Sequence, residues 1–364
     1  MVSILHIGCP FSPHKGGSVV RFTQLNESLE DVKVGLITPT KALNEGCPPE
    51  EISPQGFHIY RFDPAKMANA KSIRQVMRSF KPDVVVIHNN RVLLCWVLLV
   101  MCFVRVKVLY EVHSLRDDGV LKRLLAILLY KFIDGFIVLS KKTAEILADE
   151  YYVKQPMSVV YNGFNDANQQ PKVHQNQRTT DINFAYIGSF HDWQGVAVIA
   201  EAYLQLTDIV KAKIKLHFVG DGPLFNAVKQ QLKADELLGR VIFHGWIAQG
   251  EALALTRTCD VILMPRLSTR GTETVIPLKV VEAGNMGKCV IASDVGGLQE
   301  GLGGQALWVK AGDATSLAQA IIVAIENPEK RTELGCKLQT FSTLYPTWQQ
   351  SAATMKQFMT EHLG

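Results

Sequence analysis

The sequence predicts an α/β protein of two doubly wound domains, each a parallel sheet covered by helices on both faces. Three observations carry this. The 364 residues are too many for one ordinary core and suit two domains of about 150–200 residues each. Short Val- and Ile-rich runs alternate with helix-length segments along the whole chain, as successive βαβ units do. A single polar stretch, Asn162 to Asp181, breaks that alternation; it is nearly free of aliphatic residues and reads as a linker.

In the first half the strand candidates are Val2–Ile7, Val32–Ile37, Phe57–Phe62, Val84–His88, Val106–Val112, Gly135–Leu139 and Met157–Tyr161. Their near-continuous apolarity suits strands covered on both faces. After the linker come Ile182–Ile187, Ile214–Val219, Val241–Phe243, Val261–Met264 and Cys289–Ala292, with terminal helices at Asp313–Glu326 and Pro346–Leu363. The expected domains are 1–165, a linker at 166–181, and 182–345. A closing helix at 346–364 has the first domain as its candidate packing partner. Open α/β sheets bind ligands at the carboxyl ends of their strands, so two such domains facing a cleft suit a two-substrate reaction.

The formal charge of +4 is too small to suggest nucleic-acid binding, and no such partner is expected. Residues 1–180 carry 22 Lys and Arg against 16 Asp and Glu, a balance of +6; the remainder carries 16 against 18, a balance of −2. The first half is therefore the half suited to an anionic surface. Seven scattered cysteines without a Cys-x-x-Cys read as free thiols in a reducing compartment. The N-terminus reads as a first strand and not a signal peptide. The longest apolar run, Val92 to Val104, has 13 residues, short of the roughly 20 needed to span a bilayer. The expected location is cytoplasmic, the inner face of the membrane included.

The richest stretch is Thr274 to Ser293. Pro277 suits the first position of a helix, where its missing N–H costs nothing. Lys279 then stands in the first turn, where a cation opposes the helix dipole unless an anion is bound there. Free amides, dipole and ammonium would together face a diphosphate, and Glu282, three residues on, would accept from ribose hydroxyls. An ordinary i, i+3 ion pair between Lys279 and Glu282 is the alternative.

These residues lie in a chain that resembles the family-4 retaining glycosyltransferases of the GT-B fold, two Rossmann-like domains, over essentially its whole length. The resemblance rests on His6-Ile-Gly-Cys-Pro to Gly16-Gly17, Glu111-Val-His113, Val159-Val-Tyr-Asn-Gly163 and Phe184-Ala-Tyr-Ile-Gly-Ser-Phe190 with Trp193-Gln-Gly195. It continues through Phe218-Val-Gly-Asp-Gly-Pro223, Phe243-His-Gly245, the Pro277 segment and Val295-Gly-Gly-Leu-Gln-Glu300. It implies that Gly16 and Gly17 let the backbone approach the diphosphate and that His113 contacts the donor sugar near the reacting carbon. Lys279 would bind the diphosphate, Glu282 the ribose, and the backbone of His244 and Gly245 the base. Gly188, Ser189, Arg270, Glu273, Thr274, Pro277 and Leu278 fall among the implied donor-binding positions. For Gly16-Gly17 an ordinary strand-to-helix turn, and for His113 a core or surface histidine, remain the structural alternatives.

Two departures stand out. The family's first Glu, eight residues before the second, is Thr274 here, with Glu273 one residue off register. Its usual Arg and Lys in the second domain's opening are Ser189 and Gln194, and Arg266 or Arg270, in the loop before the key helix, are the candidates to compensate. No Asp-x-Asp occurs, and no metal or other cofactor is expected; leaving-group charge would be met by preorganised cations and amides. Retention is implied by the resemblance alone.

The expected partners are a nucleotide-sugar donor and a glycan or lipid-linked acceptor, in cell-surface polysaccharide or lipopolysaccharide synthesis. Leu121 to Phe132 joins basic residues to a broad apolar face. With Val92–Val104 it suggests peripheral contact with an anionic membrane, against the alternative of two core helices. Rival readings are a nucleotide-sugar epimerase of the same fold and a non-catalytic nucleotide-sugar-binding relative. A dinucleotide-dependent dehydrogenase fits poorly, because no Gly-x-Gly-x-x-Gly follows the first strand.

Overall fold

A computed structural model of the chain describes residues 2–14, 16–39, 46–62, 69–164 and 181–363. Most of the expected linker, 166–180, lies outside the described residues. The chain divides into two compact units, Met1–Gly163 with Pro346–Gly364, and Phe164–Tyr345.

The first unit holds β1 (Val2–Ile7), β2 (Val32–Pro39), β3 (Glu50–Ile52), β4 (His58–Phe62), β5 (Val84–His88), β6 (Lys107–Val112), β7 (Gly135–Val138) and β8 (Met157–Val159). They form one sheet in the order β3-β4-β2-β1-β5-β6-β7-β8. Every pairing is parallel except β3 with β4. All five residues of β5 are buried, as a strand covered on both faces requires. The second unit holds β9 (Ile182–Ile187), β10 (Ile214–Val219), β11 (Val241–Gly245), β12 (Val261–Met264), β13 (Cys289–Ser293) and β14 (Leu307–Val309). Its order is β11-β10-β9-β12-β13-β14, all parallel. Both units are therefore Rossmann-like, and in each the chain reverses direction across the sheet, between β1 and β5 and between β9 and β12. The carboxyl ends at those reversals are where doubly wound sheets take ligands.

The predicted strands are all present, with ends shifted by a residue or two. Among the described residues, elements not foreseen include β3, β14, the short helix Arg270–Thr274 and the helix Pro328–Ser342. β3 is three residues long, and two are glutamates, so it carries no hydrophobic alternation; charge of this kind blunts an edge strand. β14 is equally short. The helix Pro328–Ser342 buries only Gly335, Leu338 and Ser342, too narrow a stripe to stand out in sequence.

The helix Trp348–Leu363 packs within the first unit. Trp348, Ala352, Met355, Phe358 and Met359 are buried. Ser351 Oγ donates to the carbonyl of Tyr161 at 3.0 Å, and Lys356 Nζ to the carbonyl of Glu30 at 2.7 Å. Two glycines make room for it. A methyl at Gly135 would lie 2.9 Å from the Phe358 ring, and one at Gly163 would lie 2.5 Å from the backbone nitrogen of Trp348. Backbone cannot yield as a side chain can, so Gly163→Ala should cost about 1–3 kcal/mol, read as a lowered denaturation midpoint. Unchanged stability would show that the terminal helix is not seated on Gly163.

Candidate active site

In the second unit the chain leaves β12 through Pro265 and Arg266 and reaches the helix Leu278–Asn285 by way of the short helix Arg270–Thr274. Pro277 is the extended N-cap residue, with φ −72° and ψ 146°, so the helix starts at Leu278, one residue later than expected. Pro277 offers no side-chain cap; the Val280 amide donates to its carbonyl at 3.0 Å, and the Leu278 and Lys279 amides are left without intrahelical acceptors. Lys279 and Glu282 share a face and form an ion pair of 2.8 Å. Glu282 also accepts from Gln249 Nε2 at 3.3 Å. The ion pair and the donor-binding arrangement thus use the same two side chains; an incoming anion would compete with Glu282 for the ammonium.

Arg266 is buried, 8% exposed. Its Nε donates to Gln194 Oε1 at 3.2 Å and its Nη1 to the carbonyl of Val275 at 3.0 Å. Both acceptors are neutral, and among the described residues no carboxylate pairs with it. Burial lowers its pKa to about 10, so the group is still a cation at neutral pH. Gly195 makes the arrangement possible. It has φ +71°, and a Cβ there would sit 1.7 Å from the carbonyl oxygen of Pro265; only glycine lets the two loops meet. The guanidinium therefore rests on the residue that replaces the family's lysine.

Glu273 is committed elsewhere. Its Oε2 accepts from the Gly296 amide at 2.6 Å and its Oε1 from Ser268 Oγ at 2.7 Å. A carboxylate at the start of the helix Gly296–Leu302 is favourably placed against the helix dipole. Thr274 is fully buried, and its hydroxyl donates back to the carbonyls of Arg270 and Gly271 at 2.9 and 3.1 Å. Arg270 starts that short helix, partly buried. Gly188 and Ser189 follow β9, where the Ser189 carbonyl accepts from the Tyr186 hydroxyl at 2.7 Å. His244 and Gly245 end β11. The exposed His244 ring stacks on His217 at 19°, with a 3.1 Å contact from His217 Nδ1 to His244 Nε2.

In the first unit, Gly16 caps the helix Gly17–Glu27 with φ +139°, and a Cβ there would meet nothing within 4 Å. His113 follows β6 and belongs to a chain of side chains that sequence alone did not reveal. His113 Nε2 lies 2.9 Å from His88 Nδ1, His88 Nε2 lies 2.8 Å from His6 Nδ1, and His6 Nε2 lies 3.0 Å from Asn26 Oδ1. Glu111, on β6, binds Arg21 through a 2.7 Å bond from Nε to Oε1 and lies 3.2 Å from His88 Nδ1. The signal was available: His6, His88 and Glu111 are polar residues near the carboxyl ends of largely apolar central strands. His6, His88 and Glu111 also stand close enough to share a metal ion. Yet Arg21 already faces the carboxylate, and the ring nitrogens face one another or Asn26, so the set fits a hydrogen-bond chain better than a dication.

Burial pushes His6 down to about 4 from an ordinary 6.5, and lowers His88 and His113 as well, against the opposing pull of Glu111. Between pH 6.5 and 4 the unfolded chain binds a proton at His6 that the folded chain refuses. This stabilisation is complete above pH 6.5 and lost as the pH falls towards 4. Melting temperature should therefore fall across that window, and less steeply in His6→Gln; parallel profiles would count against it.

Two Rossmann-like units in one chain are the architecture of the GT-B class. Residues 15–168 match the family described as Glycosyltransferase Family 4, and residues 181–327 match Glycosyl transferases group 1. The chain belongs to the family-4 glycosyltransferases of the GT-B fold. It is 24% identical over 359 residues to N-acetyl-alpha-D-glucosaminyl L-malate synthase of Bacillus anthracis, covering 91% of this chain and 90% of that one. It is 23% identical over 235 residues, 63% of this chain, to an uncharacterized glycosyltransferase of Methanocaldococcus jannaschii, and spans 59% of that protein's length. Similar solved structures include HepE of Anabaena in complex with UDP, at TM-score 0.76 and 17% identity over 99% of this chain and 100% of that chain. Another is sucrose-phosphate synthase of Thermosynechococcus elongatus, at TM-score 0.78 and 19% identity over 99% of each chain.

Proposed function

We propose that the protein transfers a sugar from a nucleoside-diphosphate sugar to a glycan or glycolipid acceptor, with retention at the anomeric carbon and without a metal. The observation that carries this is the pairing of a first-turn lysine, Lys279, with a buried arginine, Arg266, that has only neutral partners. A departing nucleoside diphosphate gathers negative charge on the leaving oxygen. Fixed cations and open helix amides can meet that charge without reorganising as it develops. Lys279 would exchange Glu282 for the diphosphate, freeing that carboxylate for ribose hydroxyls. His113 would serve a substrate hydroxyl from the first unit. HepE, the similar structure solved with UDP and with UDP-glucose, makes these the first ligands to try.

The reading of the acceptor is supported by a surface. On the helix Val120–Tyr130 and just past it, Val120, Leu121, Leu124, Leu125, Leu128 and Phe132 are exposed, Leu121 by 81% and Phe132 by 64%. Only Ala126 and Tyr130 of that helix are buried. Lys122 and Lys131 are exposed beside them. An apolar face turned outward with basic neighbours suits the interface of an anionic bilayer, and with it a lipid-linked acceptor in cell-surface glycan synthesis. Among the described residues no helix is long and apolar enough to cross a membrane, so attachment would be peripheral.

UDP or UDP-glucose at 100 times its Kd should add about 2.7 kcal/mol of stability, and Lys279→Ala or Arg266→Gln should weaken that binding by about tenfold or more. A full screen of nucleoside diphosphates and nucleotide sugars without a thermal shift would refute donor binding. Turnover of donor with no acceptor present would point instead to an epimerase. For the surface, the protein should sediment with anionic vesicles at low salt and Leu121→Asp/Leu125→Asp should abolish it; wild-type protein left in the supernatant would end the membrane assignment.

A further inference from the structure

We propose that Asn26, acting through His6 and His88, holds the proton of His113 on Nε2 and so presents a bare Nδ1 to accept a hydrogen bond from a substrate hydroxyl. The inference rests on the reading that His113 meets substrate; the proton arrangement rests on the hydrogen-bond geometry of four buried or half-buried side chains with neutral imidazoles.

The direction of every proton follows from one amide. Asn26 Nδ2 donates to the carbonyl of Phe22 at 2.8 Å, inside the helix Gly17–Glu27. Its Oδ1 must then face His6. An amide oxygen only accepts, so His6 Nε2 carries the proton at the 3.0 Å contact. His6 is neutral at physiological pH, with its pKa near 4, which leaves Nδ1 as an acceptor. His88 Nε2 therefore donates to His6 Nδ1 at 2.8 Å, and His88 Nδ1 is bare. His113 Nε2 then donates to His88 Nδ1 at 2.9 Å. The last atom in the series, His113 Nδ1, has no partner among the described residues. His113 is also the ring that reaches solvent: its side chain is 20% exposed against 5% for His88, and His6 is fully buried.

The opposite polarity is not forbidden at the inner end of β6. Glu111 Oε2 lies 3.2 Å from His88 Nδ1 and would accept a proton placed there. Every histidine would then reverse, and His113 would offer an N–H from Nδ1 where it now offers a lone pair. Asn26 blocks this. Turning its amide would set the Asn26 Oδ1 against the Phe22 carbonyl in a dry interior and leave that amide oxygen without a donor, the costly case for a buried polar group. Asn26, His6 and His88 are positioning residues: they touch no substrate, and they decide whether His113 accepts or donates.

Histidine side-chain nitrogen NMR on the full-length, uniformly 15N-labelled protein reads each tautomer directly, with signals of the ten histidines assigned by single substitutions. We expect His6, His88 and His113 all protonated on Nε2 alone in the free protein. In Asn26→Leu, His113 should move to the Nδ1–H form or a mixture, and kcat/KM for transfer should fall by about tenfold. A wild-type His113 protonated on Nδ1, or a doubly protonated or metal-shifted signal, overturns the proposal. So does a His113 tautomer that is unmoved by Asn26→Leu. Should Asn26→Leu not fold, His6→Phe breaks the same chain one link further along and is read in the same way. Correct tautomers with no transfer to any acceptor would refute the function and leave the relay standing.

Discussion

The buried ion pair between Arg21 and Glu111 ties the first unit's functional parts together. Its two side chains are 3% and 2% exposed, and a buried charge left without its partner is among the costliest defects a fold can carry. Arg21 lies on the helix that Gly16 caps, and Glu111 lies on β6, two residues before His113. The same guanidinium donates through Nη1 to Asn162 Oδ1 at 3.2 Å and to the Tyr161 carbonyl at 3.3 Å. That carbonyl also accepts from Ser351 of the terminal helix. One cation thus fixes the glycine loop, the histidine chain and the end of the first unit's main segment. Burial pushes the Glu111 carboxyl up, but Arg21, followed by His88 and His113, holds it well below the usual carboxylate range. That persistent negative charge is what makes the polarity of the neighbouring imidazoles a real choice.

The second unit depends on close backbone approach. Gly195 meets Pro265, and Gly296 and Gly297 meet the carbonyls of Glu273 and Val275, at distances no Cβ tolerates. These contacts draw the loops after β9, β12 and β13 together around the start of the helix Leu278–Asn285. They also explain how positive charge can change its place in the sequence. Gln194, shorter than a lysine and neutral, holds the Arg266 guanidinium by a hydrogen bond. Charge moves from one loop to its neighbour, while the carboxylate of Glu273 is spent on a helix N-terminus.

The fold was legible because parallel strands buried on both faces have to be written as unbroken Val and Ile runs. β5 and β12, buried throughout, were read to the residue. β3 and β14 were missed because three residues carry no period. In the candidate site, Pro277, Lys279 and Glu282 could be placed at one helix start because helix-start chemistry is local in sequence. The histidine chain could not be read the same way. His6, His88 and His113 are separated by 82 and 25 residues and meet only because β1, β5 and β6 are adjacent in the sheet. The outward face of the helix Val120–Tyr130 lay between these cases. Its apolarity was plain in sequence, but whether that face turned in or out depended on packing.

Arg266 shows why a site of this kind is not optimised for the empty protein. A desolvated guanidinium with only neutral acceptors lowers stability, and its depressed pKa records that cost. Pairing it with an internal carboxylate would relieve that cost and, on the proposed donor reading, remove the cation from the diphosphate site at the same time. On that reading, the relief would come when an anion arrives, and the unfavourable burial would then contribute to affinity instead of opposing the fold. The same logic separates Lys279 from Arg266. Lys279 has Glu282 as a resting partner and gives up an ion pair on binding, whereas Arg266 gives up nothing charged. Of the two cations, the arginine should therefore supply the larger net gain per diphosphate bound, although Lys279 is the one that the sequence pattern announces.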